Sequence, residues 1–274
     1  MSAFGYGISD FVGGMASRRV AALRVVLVSY PVAMVLLTVL AVIVGGHVSP
    51  SAVLWGSLCG IGQAFGVWWF YAALGAGPIS VVSPLTSVLV AGVPVGVGLA
   101  LGERPAGLAV VGIVLALVAV VLVSREVGDE DSKPHRFTAK IASLTVGSGL
   151  AFGMNFVLIA QAPVDAGLWP LVFARISAST LVVIIALFTR NLAAPTGTPL
   201  RLALLAGVLD TIANVAMLLA LQASSLLSLA AVLMSLYPAA TVALAMVVLK
   251  ERVTRWQALG MVLALLAVGM IATG

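Results

Sequence analysis

Ten apolar stretches follow one another through 274 residues and leave almost no chain over. Their limits read 1–17, 24–45, 51–74, 79–101, 106–124, 139–162, 168–189, 200–221, 226–249 and 255–273. A run of about 20 apolar residues crosses the hydrocarbon of a bilayer as a helix, which satisfies its own backbone hydrogen bonds where water cannot. Charged residues make up 8% of the chain and hydrophobic ones 62%, whereas soluble domains carry roughly 25% charged residues. The chain therefore reads as an all-α integral membrane protein with ten transmembrane helices. The single Cys59 lies within an apolar run and excludes a disulfide framework. The net charge of +5 does not point to nucleic acid, because the basic residues sit in short links between apolar stretches. The first stretch starts at Met1 and gives about 17 residues, the lower limit for a span. It is either a short tilted helix or part of a chain that begins further upstream. No basic region precedes it, so no cleavable signal peptide is expected.

The stretches fall into two copies of one unit. Leu101-Gly-Glu-Arg104 ends one apolar run, and Leu249-Lys-Glu-Arg252 ends another. Glu103 and Glu251 are 148 positions apart, as are Gly112 and Gly260, and a constant offset of this size marks an internal repeat. The only long polar connection, 125–138, separates a first repeat over 1–124 from a second over 139–274. Its charges read as a solvated linker. Five spans per repeat is an odd number, so the second repeat enters the membrane from the opposite side. The fold expected is two inverted five-helix repeats, with a site near the midplane between them. Glu103 and Glu251 sit at helix ends and read as anchors of a tight turn.

Let face B be the side that holds the connection after the first span and every second connection after that. Face B collects 12 Lys and Arg residues, and face A has only Arg104, with Arg175 inside a span. The positive-inside rule then places face B in the cytoplasm and both termini outside.

The paired pattern resembles the drug/metabolite transporter superfamily, in its ten-helix form with two EamA units. Tyr71-Ala-Ala-Leu-Gly-Ala-Gly-Pro-Ile-Ser80 is similar to the family's join between third and fourth helices. Leu101-Gly-Glu-Arg104 with Gly112 is similar to its turn between the fourth and fifth. Ser235-Leu-Tyr-Pro-Ala239 through Arg252 and Gly260 resembles the second copy. Pro238 has no counterpart, since position 90 is Val, while Pro84 and Pro94 flank it. The resemblance implies both termini in the cytoplasm, against the charge count. It also implies that the first and sixth helices line a central cavity, and that export is the commoner direction.

Ionisable residues inside spans are costly and mark candidate sites. Asp10 lies near the middle of the first span and Asp210 near the middle of the eighth; Arg175 lies in the seventh, about two turns from face A. Asp210 and Asn214 are four apart and share a helix face, with Thr211 beside them. Asp210 reads as a substrate-amine partner or proton carrier on a cavity wall, or else as a helix–helix contact or the partner of Arg175. Arg175 could bind an anionic group, neutralise Asp210 or Asp10, or snorkel to face A. Ser9 and Asn155 occupy matching places in the two copies, and the resemblance makes Ser9, Asp10 and Asn155 lining residues. Asn155 and Arg175 both stand roughly 10 Å below face A at 1.5 Å per residue. Gln63 and Thr211 are 148 apart and would place two polar groups at the midplane. Trp68 is open to a cavity-wall role, Tyr71 reads as part of an interfacial aromatic belt, and Tyr237 beside Pro238 reads as a lining residue. The spacings Gly56/Gly60, Gly62/Gly66, Gly92/Gly96 and Gly149/Gly153 read as close helix packing, and such faces also admit a homo-oligomer.

The function expected is secondary transport, across the cell membrane, of a small organic metabolite or drug-like molecule by alternating access. Efflux is the expected direction, and Asp10 or Asp210 is a candidate for proton coupling. No P-loop occurs, so direct use of ATP is not expected, nor is any cofactor or metal. The alternative is a polytopic membrane enzyme acting on a lipid-linked substrate. It lacks clustered catalytic groups: His47 and His135 lie on opposite faces, and no HExxH or Asp-rich motif occurs. A channel would need a ring of charges or a carbonyl filter, and neither is visible.

Overall fold

The computed structural model describes residues 2–100, 107–124, 137–159, 161–223, 237–250 and 254–273. The described residues form ten α-helices and one short 3₁₀ turn. The helices are α1 (Ser2–Ser17), α2 (Ala22–Val44), α3 (Pro50–Ala76), α4 (Ile79–Ala100), α5 (Gly107–Ser124), α6 (Ala139–Ile159), α7 (Trp169–Phe188), α8 (Thr198–Ala223), α9 (Tyr237–Val248) and α10 (Arg255–Thr273). The 3₁₀ turn, Val164–Ala166, precedes α7. Each expected span holds one helix. Helices α2, α3, α6 and α7 and the stretch 198–216 of α8 are long and apolar enough to cross a membrane by themselves. The turn residues Glu103, Arg104, Glu251 and Arg252, and the linker up to residue 136, lie outside the described residues.

Local chemistry sets the helix ends. Ser49 accepts a hydrogen bond from the Ala52 amide at 3.2 Å, and Pro50 occupies the first turn, where its missing N–H costs nothing. At face A the link between α2 and α3 lies against the turn before α7. The His47 amide donates to the Asp165 carbonyl at 2.9 Å. Gly46 has φ of +129° there, and a Cβ on it would come within 2.6 Å of the Ala166 carbonyl oxygen, so this approach requires glycine.

The helices do not pack as two separate halves. Helix α3 packs on α6 and α7, and its repeat mate α8 packs on α1 and α2. Helix α4 packs on α6 as α9 packs on α1, and α5 packs on its own mate α10. Two four-helix bundles result, one of α3, α4, α6 and α7, the other of α1, α2, α8 and α9, each with helices from both repeats. The contacts of α2 with α7, α4 with α9, and α1 with α3 form the seam between the bundles.

Glycine pairs bring the helices of one bundle together, as expected for small-xxx-small faces in a bilayer. Gly56 lies against Pro170 and Phe173, and Gly60 against Ala174 and Ser177, all on α7. Gly62 and Gly66 meet Ala151 and Phe152 of α6. Gly149 and Gly153 meet α4 at Thr86, Leu89 and Val93. The fourth pair differs from expectation: a Cβ on Gly92 or Gly96 would meet nothing within 4 Å. That face of α4 is open among the described residues.

Candidate functional site

The most costly groups in the spans converge on the seam. Arg175 of α7 is 3% exposed. Its Nη2 donates to Asp210 Oδ2 of α8 at 2.5 Å. One turn along α8, Asn214 Nδ2 donates to the other oxygen of Asp210 at 3.2 Å and to its backbone carbonyl at 2.8 Å. The guanidinium carbon of Arg175 lies 4.5 Å from the centroid of the Tyr30 ring on α2. A planar guanidinium suits both partners, since its edge meets a carboxylate and its face an aromatic ring. The Tyr30 hydroxyl donates to the Gln63 backbone carbonyl on α3 at 3.1 Å. Arg175 to Asp210, Arg175 to Tyr30 and Tyr30 to Gln63 each join a helix of one bundle to a helix of the other.

Contacts within one bundle are of another kind, made by neutral groups. Ser9 Oγ donates to the Ala206 carbonyl of α8 at 3.0 Å, and Thr241 Oγ1 to the Gly7 carbonyl at 3.1 Å. The Cys59 thiol donates to Asn155 Oδ1, joining α3 to α6. Ser177 Oγ donates to the Ser57 carbonyl at 2.7 Å, joining α7 to α3. Thr211 bonds back to the Gly207 carbonyl of its own helix at 2.8 Å, so it does not extend the polar stripe of Asp210 and Asn214.

Two groups stand beside this network without completing it. Asp10 of α1 is half-buried, in the field of Asp210 and near the Tyr71 phenol. Among the described residues no donor reaches its carboxylate. Gln63 is 6% exposed, and its Oε1 is buried with no hydrogen-bond partner. A buried acceptor left unpaired in this way costs roughly 1–3 kcal/mol, so it marks a place where a donor from water or a ligand fits.

The structure thus brings Arg175, Asp210 and Asn214 together, with Gln63 joined through Tyr30 and Asp10 beside them. Ser9 is a bundle contact, and Asn155 is tied to Cys59. Trp68 is not at the centre; it lines a cavity at face B. Tyr71 departs from the belt expected of it: it is 4% exposed and its ring lies on Gly13 of α1. Depth along a helix says nothing about which way a side chain faces, and α1 covers this side of α3. The side chain of Tyr237 lies outside the described residues. Tyr30 belongs to the network and Cys59 lies beside it, in the field of Arg175, and neither is a candidate from sequence. Tyr30 precedes Pro31 in mid-span, the same signal that drew attention to Tyr237 and Pro238.

Ten helices in two inverted five-helix repeats, with buried charges at the seam between bundles, make a multi-pass membrane protein. The chain belongs to the EamA-like transporter family, whose model matches residues 1–125 and 139–273 and places it in the drug/metabolite transporter superfamily. A protein of known crystal structure shares the fold with a TM-score of 0.63, over 97% of this chain and 94% of that one, at 13% sequence identity. No curated protein matches the sequence.

Proposed function

We propose that the protein is a secondary transporter that exports a small organic metabolite or drug-like molecule across the cell membrane by alternating access, with proton exchange at Asp10. The observation that carries this reading is the contrast between the two carboxylates. Asp210 is held by Arg175 and Asn214, so its charge is already balanced. Asp10 lies in the same field with no donor among the described residues, so it is the carboxylate available to a proton.

The repeats, 1–124 and 139–274 joined by 125–138, supply the two bundles that rock about the seam. Neutral hydrogen bonds and glycine contacts hold each bundle as a body. The ion pair and the Tyr30 contacts cross the seam and are the ones a rocking motion remakes. Gln63 and Asn214 offer polar groups to a bound solute along the same seam, and Asn155 offers one beside it on α6. Efflux is the direction proposed.

The test is flux through purified protein in liposomes, with a panel of amino acids, nucleobases and amphiphilic cations and an imposed pH gradient. At least one solute is expected to move faster with the gradient than without it. Asp10→Asn is expected to abolish the stimulation. No flux for any solute refutes transport of these classes, and an Asp10→Asn protein with full stimulation refutes the proton role.

A further inference from the structure

A cavity of about 320 Å³ opens at face B, where α1, α3 and α7 end. Ser17 lies on its α1 wall, Leu23 on its α2 wall, and Thr189 and Asn191 beyond the end of α7. Helix α3 contributes Trp68 and Gly75, two positions of one stripe. Tyr71 stands in the same stripe, three residues after Trp68 and four before Gly75. It does not line the cavity, because it is buried against α1. A Cβ at Gly13 would lie 2.1 Å from the Tyr71 Cζ and 2.4 Å from its hydroxyl oxygen, so the ring fills the space a side chain at 13 would need. Its hydroxyl end lies beside Ser9 and in the field of Asp10. The ring is therefore a contact of α1 with α3 at the depth of the cavity, on the side of α3 that faces α1.

Below Tyr71 the seam stays shut to the surface. A Cβ on Gly14 would lie 3.0 Å from the Leu74 Cβ, and one on Gly75 would lie 3.0 Å from the Ser17 Cβ. At the end of α3, Arg18 donates from Nη2 to the Gly77 carbonyl at 3.2 Å and from Nε to the Leu74 carbonyl at 3.5 Å. A cation on the last carbonyls of a helix is favourably placed. Helices α1 and α3 belong to different bundles, so this contact closes face B across the moving seam.

We propose that the contact of α1 with α3, from Tyr71 seated on Gly13 to Arg18 on the end of α3, is the barrier between the central site and face B, and that the cavity beside it is the face-B vestibule of the transport path. This rests on the reading of the central site as a transport site.

Cys59 is the only cysteine and sits beside the central network, bonded to Asn155 and in the field of Arg175, so it reports access to it. In sealed vesicles, face B is the side from which an impermeant maleimide labels Asn191→Cys in a Cys59→Ala background. From that side Cys59 is expected to react about ten-fold faster in Tyr71→Ala than in the native protein, since close packing otherwise excludes the reagent. Tyr71→Phe keeps the ring and is expected to match the native rate. Equal rates for Tyr71→Ala and native protein overturn the part of Tyr71 in the barrier, and so does a Tyr71→Phe protein as fast as Tyr71→Ala.

An independent test locks the contact. The Gly14 and Leu74 Cβ positions are 3.0 Å apart with no backbone atom nearer, so a disulfide between Gly14→Cys and Leu74→Cys needs only about half an ångström of give. Oxidation is expected to stop flux and reductant to restore it, and flux that persists through complete cross-linking overturns the gate. Shielding of Cys59 by Tyr71 in a protein that moves no solute would keep the barrier and refute the transport reading.

Discussion

Removing the Asp210 carboxylate leaves Arg175 charged in a place built for a pair. The Arg175 side chain is 4% exposed and that of Asp210 23%, so Asp210→Ala strands a guanidinium with the Tyr30 ring as its remaining partner across the seam. Breaking a buried pair from one side costs about 3–5 kcal/mol. The ring at 4.5 Å keeps up to about 2 kcal/mol of attraction for the cation when desolvated, and the partial exposure of Asp210 admits water to the gap. We therefore expect a loss of about 3 kcal/mol for Asp210→Ala, at the low end of the range. Replacing both partners, Arg175→Met with Asp210→Leu, removes the charges together and is expected to cost less than about 1 kcal/mol. Equilibrium unfolding of Arg175→Met, Asp210→Leu and the double in mixed detergent micelles, with Asp210→Ala beside them, closes the cycle. The reasoning is refuted if Asp210→Ala costs no more than about 0.5 kcal/mol, the scale of a surface substitution. It is refuted equally if the double variant loses the sum of the singles, because partners in one network must couple. The double variant also separates stability from function: it is expected to fold and to be inactive, since no charged contact is left for the seam to remake.

Four further outcomes follow from the same structure. Gly60→Ala sets a methyl 2.1 Å from the Ala174 carbonyl oxygen, a backbone atom that cannot step aside, and is expected to cost about 2 kcal/mol or more in micelle unfolding. Gly92→Ala meets nothing and is expected to be neutral or to stabilise by up to about 1 kcal/mol through helix propensity; a large loss there would show that the open face of α4 is covered in the working protein. Tyr30→Phe removes the hydrogen bond to the Gln63 carbonyl and keeps the ring under Arg175, so it is expected to cost about 1 kcal/mol, with Tyr30→Leu costing more in the same assay. Asp10→Asn is expected to leave the unfolding midpoint unchanged while abolishing pH-gradient stimulation of flux, because no donor among the described residues depends on its charge.

Much of the architecture can be read from composition alone, because a bilayer imposes one length and one backbone solution on every span. The errors lie at the ends. Helix α3 starts at Pro50 and runs to Ala76, where apolarity suggested 51–74, and α8 spans Thr198–Ala223 rather than 200–221. Apolarity marks the part of a helix in lipid, whereas caps such as Ser49 mark where the helix begins. The charged candidates were legible for a similar reason: Asp10, Arg175 and Asp210 are expensive wherever they face, so each had to meet a partner, water or a solute. Which of these each one met was not legible. The partner of Arg175 is set by how α7 and α8 are turned toward each other, and no spacing within either helix encodes that.

Tyr71 and Tyr30 show what the missing information is. Both were available as polar tips on apolar rings, and depth alone put the first in the belt and left the second unremarked. Depth is one coordinate; the rotation of a helix about its axis is the other, and packing partners fix it. Here those partners come from the opposite repeat: α1 is held by α8 and α9, and α3 by α6 and α7. The repeat in sequence suggests two halves that move as units, but the packing regroups their helices into bundles that each draw on both copies. The contacts that matter for motion are then those between bundles, and two of them join helices of one repeat: α1 to α3 through Tyr71 and Gly13, and α2 to α3 through Tyr30 and Gln63. Read as repeats, these look like internal packing. Read as a seam, they lie on the surface along which the protein must open.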